Sequence, residues 1–275
     1  MSYTISLSGL QNAQTDLNVI GNNIANADTT GFKKSSVEFA NLVAASAYSN
    51  PKMTVGIGST VESINQNFSQ GAIQQTGSAL DLAISGDGFF TVASTANGQM
   101  SYTRNGAFSL DSSTAATSGN SYIVDGNGNR LQIFANSGGT FATSPSDAVV
   151  PAKNANNATF SGLTVDASGN VSAAYGDGTS TVIGKVALAA FNSPEGLQQI
   201  GSAMYNATGL SGAATYGQPN SNQYGSLLSG ALEASNVDLS SEMVNMITAQ
   251  QYFQANAKAI DTNTTVSEAI INLHS

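Results

Sequence analysis

Both ends of the chain carry the same apolar period, and little charge accompanies either. In the N-terminal segment Leu10, Ala13, Leu17, Ile20 and Ile24 recur at spacings of 3, 4, 3 and 4. In the C-terminal segment Leu239, Met243, Met246, Gln250, Phe253, Ala257 and Ile260 follow 4, 3, 4, 3, 4 and 3, and Ser267 and Ile271 keep the phase. Such spacing gives a helix one narrow apolar stripe, the seam of a coiled coil, suited to packing along a partner helix rather than to full burial in a core. The first helix is expected to end near Ala27, ahead of Thr29, Thr30 and Gly31; Gly21 within it costs about 1 kcal/mol of helix propensity. The second is expected over 238–273, a run without Gly or Pro, which at 1.5 Å per residue would be about 50 Å long. Asp238 is placed to cap it, with Glu242 in the first turn where the macrodipole favours an acid. The economical reading is that the two ends pair with each other or with copies of themselves.

Between them lies different material. From about Gly71 to Gly225 the chain is rich in Gly, Ser, Thr and Asn, with short β-type runs at 80–84, 89–93, 121–124, 131–134, 163–165, 171–174 and 181–191. Turn sequences punctuate them: Ser85-Gly86-Asp87-Gly88, Asp125-Gly126-Asn127-Gly128, Asp166 to Asn170 and Asp177-Gly178. Val182, Val186 and Leu188 share one side at period 2, implying one buried face. The fold expected is therefore α+β: paired coiled-coil-like terminal helices flanking an inserted all-β domain of hairpins. The divisions are 1–27 for the first helix, 28–70 for a linker with extended structure, 71–225 for the β-rich domain and 226–275 for the second helix.

Composition removes most chemistries. Charged residues are 9% of the chain, against roughly 25% in an ordinary soluble domain. With 8 Lys and Arg against 17 Asp and Glu, the net charge is −9, so nucleic acid and anionic membranes are not expected partners. No apolar run reaches the roughly 20 residues of a membrane span. The N-terminus, with no basic residue before Lys33, does not read as a Sec-type signal peptide. Absence of Cys excludes thiolate metal sites, thiol catalysis and disulfides. The single histidine, His274, is penultimate, where a fraying end cannot hold an imidazole for a Ser–His–Asp triad.

The remaining candidates are weak as chemistry. Asp125, Asn127 and Asn129 match the start of a calcium loop, but Arg130 and Asn136 occupy the positions that need Gly and Glu. That leaves a plain β-turn or an irregular cation site. Ser85 to Gly88 follows a strand but lacks the Lys and helix of a phosphate loop, and reads as a hairpin turn. Asp81 and Asp87 form no glycosidase pair on spacing alone. Lys33-Lys34 is either a solvated linker or a contact to an acidic neighbouring subunit. No catalytic residue, cofactor-binding residue or metal ligand emerges, and none of the three is expected. The chain is not expected to be an enzyme; a secreted adhesin-like β protein would explain the strands but not the two seams. The outer faces of both helices carry amides and small residues, among them Gln11, Asn12, Asn18, Asn245, Thr248 and Asn256. Lone solvated helices usually show i,i+4 ion pairs there, so these faces point to packing by neighbours in a polymer. The assembly seam is placed at Leu10, Ala13, Leu17, Ile20 and Ile24 with Leu239, Met243, Met246, Phe253, Ala257 and Ile260.

Three blocks then carry a family resemblance. The stretch from Leu17 to Asn26, followed by Thr29-Thr30-Gly31-Phe32-Lys33, resembles the N-terminal signature of the bacterial flagellar rod and hook axial proteins. Gly230 to Leu239 with Glu242 to Ile247 and Gln250 is similar to their C-terminal signature. Leu82-Ala83-Ile84, Gly86, Gly88-Phe89-Phe90 and Tyr102-Thr103-Arg104-Asn105-Gly106 resemble the block between. Within the family the wording is nearest to hook subunits, with proximal or distal rod subunits as the alternative. Distal rod subunits usually carry an extra stretch between Phe39 and the region of Gly56–Gly58, which is short here; many hook subunits carry a further outer β domain, for which there is no room. The resemblance implies a structural subunit of the flagellum, in the hook or basal body. It would leave the cell through the flagellar type III export apparatus and polymerise with itself into a torque-transmitting tube. The neighbours implied are rod, hook cap and hook–filament junction proteins, with no cofactor, nucleic acid or membrane insertion. The terminal helices would line the inner tube and the β domain its outer wall.

Overall fold

A computed structural model describes residues 2–43, 56–112, 119–221 and 223–272; His274 and Leu273 lie outside the described residues. The fold is α+β, with terminal helices flanking a large all-β domain. The chain divides into two compact units, one of residues 1–27, 34–67 and 237–275, the other of residues 28–33 and 68–236.

The first unit holds helix α1 (Ser2–Ala25), helix α2 (Leu239–Asn272) and a hairpin of strands β1 (Ser35–Val43) and β2 (Gly56–Gln66). α1 ends two residues before the expected Ala27. Its last turn is a cluster of amides whose side chains compete with the helical ladder: Asn26 bonds back to the Asn22 carbonyl at 2.9 Å, and Asn23 turns away to the chain beyond. Asp238 caps α2 as its sequence suggests, its Oδ1 accepting the amides of Ser240 and Ser241 at 2.9 and 3.1 Å. The segment read as a linker over 28–70 contains the antiparallel β1–β2 hairpin, whose register shifts after Glu38 and after Leu42. Alternation is blurred by those bulges, and most β1 side chains remain exposed. That is why a period-2 reading of the sequence does not isolate it.

The second unit is built around Phe89–Ala93, a strand buried along its whole length. It pairs with Met100–Thr103 on one side and with Arg130–Ser137 and Leu188–Ala190 on the other. Phe160–Val165, Asn170–Tyr175 and Ser180–Val186 form a meander that joins the same sheet through Arg130–Ser137. The core gathers Leu82, Ile84, Phe90, Ile123, Leu131, Val171 and Leu188, with the Phe90 and Phe108 rings edge to face at 5.3 Å. The run 181–191 is two strands, because at Ala187 the chain leaves Arg130–Ser137 for Phe89–Ala93. The unit also extends past the expected limits of 71–225. Ser226–Ser229 pairs with Leu82–Ser85, and Ala231–Glu233 with Ile73–Gln75.

Candidate assembly surface

α1 and α2 run antiparallel: Asn23 near the end of α1 donates to Glu242 at the start of α2 at 3.2 Å, while Gly9 faces Asn256. On α1 the buried positions are Ser6, Ala13, Ile20 and Asn23. On α2 they are Glu242 and Ala249, with Met246, Phe253, Asn256, Ile260 and Asn263 half-buried at the intervening turns. The expected stripe is thus only partly the line of contact within the chain. Met246, Phe253 and Ile260 lie on it, and Ala257 is half-buried beside it. Leu239 and Met243 are 40% and 53% exposed. On α1, Leu10, Leu17 and Ile24 are half-buried flanks of the Ala13–Ile20 line. The physical reason is that Asn23, Glu242, Asn256 and Asn263 occupy seam positions, and a search for apolar periodicity passes over polar residues. Asn23 earns its burial by satisfying the Ser35 backbone twice, its Nδ2 donating to the carbonyl at 2.8 Å and its Oδ1 accepting the amide at 2.9 Å. The amide faces are also partly used within the chain, since Asn12 donates to the Ser59 hydroxyl at 2.7 Å.

Asp16, Lys34, Asn245 and Glu242 line a cleft of about 280 Å³ between the helices and the start of β1. Burial, and then the charge of Glu242, raises the Asp16 carboxyl above its usual range. Outside the cleft and seam, α2 presents Leu239, Met243, Val244, Ile247, Tyr252, Val266, Ile270 and Ile271 to solvent. Burying each of these side chains would be worth about 1.5–3 kcal/mol.

The second unit is locked by charge. Lys33, expected in a solvated linker or against another subunit, is fully buried within its own chain. Its ammonium donates to Glu233 Oε1 at 2.6 Å and to the Ser69 carbonyl at 2.7 Å. Arg104 Nη1 reaches Glu233 Oε2 at 3.3 Å, and the Gly71 amide completes the carboxylate at 2.9 Å. Burial pulls both the Lys33 ammonium and the Arg104 guanidinium below their ordinary values, against the opposing pull of Glu233. Gly31, at φ +70°, lets the chain pass: a Cβ there would sit 2.5 Å from the Asn105 amide nitrogen. Lys33, Arg104 and Glu233 come from the three separate signature blocks. Sequence reasoning could have flagged them as rare charges among apolar and glycine neighbours in a chain with so few charges.

The Asp125 loop is a self-satisfied turn. Asp125 Oδ1 accepts the amides of Asn127 and Asn129 at 2.8 and 2.9 Å, and Oδ2 accepts the Asn129 side chain at 2.9 Å. Asp166 repeats the arrangement with Ser168 and Asn170. Both carboxylates are spent on their own turns, and no cluster of three or more metal-ligating side chains occurs among the described residues. None of the helices among the described residues is long and apolar enough to cross a membrane.

Three protein-family models match this architecture in chain order: "Flagella basal body rod protein" over residues 4–33, "Flagellar hook protein FlgE/F/G D1 domain" over 83–173, and "Flagellar basal body rod FlgEFG protein C-terminal" over 228–273. The chain is 36% identical to the flagellar basal-body rod protein FlgG of Bacillus subtilis, covering 97% of this chain and 96% of that one. It is 31% identical to the FlgG of Agrobacterium fabrum, over 95% and 94% of the two chains. It is 28% identical to the flagellar hook protein FlgE of Salmonella typhimurium, over 99% of this chain and 100% of that one.

Proposed function

Because the chain belongs to the flagellar FlgE/F/G family of rod and hook proteins, a family of structural and not catalytic proteins, we propose that it is a rod-type subunit that polymerises with itself into the axial drive shaft. The observation that carries the rod reading is the match in length. Alignment with the Bacillus subtilis rod protein runs over 279 positions for a chain of 275 residues, whereas alignment with the Salmonella typhimurium hook protein runs over 410. The hook relative therefore contains a large insertion with no counterpart here. The exposed apolar residues of α2 supply surface that polymerisation would bury, and the β unit would form the outer wall. Export through the flagellar type III apparatus and contact with the other axial proteins, including hook cap and junction proteins, belong to the same reading.

A second reading, as hook subunit, is favoured by the short connection between β1 and β2, twelve residues over 44–55. Resemblance places an extra stretch there in distal rod subunits. Electron microscopy of basal bodies from a strain lacking this gene separates the two. The rod reading predicts a truncated or missing rod; a complete rod that ends without a hook would establish the hook reading instead.

A further inference from the structure

Helix α2 outruns its partner. The Asn23–Glu242 and Gly9–Asn256 pairs set the antiparallel register, which puts Ser2, where α1 begins, opposite Asn263. Up to that point α2 keeps a regular line against α1. From Glu242 through Ala249 and Asn256 to Asn263, one position in every three or four is buried or half-buried. The same steps lead on to Ser267 and Ile270, yet from Thr264 to Asn272 every residue is exposed. At 1.5 Å per residue this overhang is about 13 Å long. Val266 and Ile270 form an exposed apolar row along it, with Ile271 beside them. At the opposite end of the pair, α2 opens with a second exposed apolar row, Leu239, Met243 and Ile247. Members of both rows stand four residues apart, the spacing of the ridges that interdigitate when helices pack. Glu242, next to the second row, is turned inward and accepts from Asn23, so the row itself is uncharged.

We propose that the α2 overhang of one copy of this chain packs beside Leu239 and Met243 at the start of α2 in the next copy. The line of contact that α1 covers within one chain is thereby continued across copies. The inference rests on the polymer reading above, which brings copies together. Overhang and receiving row lie at opposite ends of one helix, so the contact joins unlike surfaces and leaves every pair with a free surface of each kind. Such a contact, displaced along the helix, repeats into an open filament and cannot end at a closed pair. Seating Ile270 beside Met243 offsets successive copies by the stretch between those two residues, about 40 Å along the helix axis.

The chain has no cysteine, so the full-length double variant Met243→Cys, Ile270→Cys reports the contact directly. Its two thiols, about 40 Å apart on one helix, cannot join within a chain. Axial structures are isolated from cells expressing it, oxidised and run on a non-reducing gel. The expected result is a ladder of dimers, trimers and longer oligomers, while each single-cysteine variant gives monomer alone. A dimer from either single variant, showing that like ends meet, overturns the inference while leaving the polymer reading intact. So does an assembled double variant that gives no ladder. The second arm compares Ile270→Asp with Thr265→Asp, both at exposed positions of the overhang and both expected to melt like the wild type. In seeded sedimentation Ile270→Asp is expected to associate about ten- to hundredfold more weakly, and Thr265→Asp, off the row, like the wild type. Equal assembly by the two overturns the inference, and this arm decides where the cysteines themselves stop assembly. Failure of the unsubstituted chain to enter any axial structure overturns the polymer reading, and this inference with it.

Discussion

Glu233 holds two cations at once, and its removal shows what the lock contributes. Glu233→Gln keeps the shape but takes from Lys33 and Arg104 the carboxylate that pairs them, leaving Arg104 only the more weakly acting Asp87, and breaking a buried pair costs about 3–5 kcal/mol. The midpoint of chemical unfolding of the β unit should fall accordingly; an unchanged midpoint would mean that water reaches the site. Two glycines of α1 make a second residue-scale contrast. A Cβ on Gly21 would meet nothing within 4 Å, whereas a Cβ on Gly9 would lie 2.6 Å from the Asn256 side-chain oxygen. Gly21→Ala should therefore raise helix stability by about 1 kcal/mol, while Gly9→Ala should lose that gain by displacing Asn256. Thermal melts followed by circular dichroism compare them. Of these residues, Gly21 was legible as a helix cost from sequence. Glu233 was visible only as part of a family signature, because the buried partners of a carboxylate lie far away along the chain.

At the scale of elements, the helix pair is tuned by its polar seam. Asp16 binds its proton more readily in the folded helix pair than in the unfolded chain, because burial and Glu242 raise it. The stabilisation it contributes is fully present below the ordinary carboxylate value near 4 and is lost as pH rises through its raised folded value. Acidification from pH 7 toward 4 should stabilise α1 against α2 in the wild type more than in Asp16→Asn; equal responses would remove Asp16 from the account. Burial separates two further substitutions. Ile20, at 5% exposure, should break the pair within the monomer when changed to Asp, whereas Met243, at 53%, should leave the monomer helicity unchanged when changed to Asp and weaken assembly. Both helices, the cap at Asp238 and the apolar strands of the β core are readable from period and turn chemistry, which are local, whereas short or exposed strands such as Met100–Thr103, Gln198–Gly201 and Met204–Asn206 are not. Of the α2 stripe, Met246, Phe253 and Ile260 lie on the contact with α1, while Glu242, Ala249 and Asn256 stand one residue before Met243, Gln250 and Ala257 on that line. The β1–β2 hairpin was read as linker because its bulges and exposed faces erase the alternation.

For the whole molecule, the two terminal signatures close the β unit as well as extending from it. Residues 28–33 and 226–236 belong to that unit through Lys33, the strand Ser226–Ser229 and Glu233. A fragment of 71–225, the domain suggested by composition, should therefore fail to show a cooperative melt, and a fragment of 28–236 should show one. The central claim is that the apolar side chains α2 leaves exposed are covered by other copies. The most direct measurement is seeded sedimentation of the full chain beside the double variant Met243→Asp, Ile247→Asp, with monomer melts recorded for both. The account predicts that the wild type pellets as tubes while the variant melts normally and stays in the supernatant. A variant that polymerises like the wild type would contradict it.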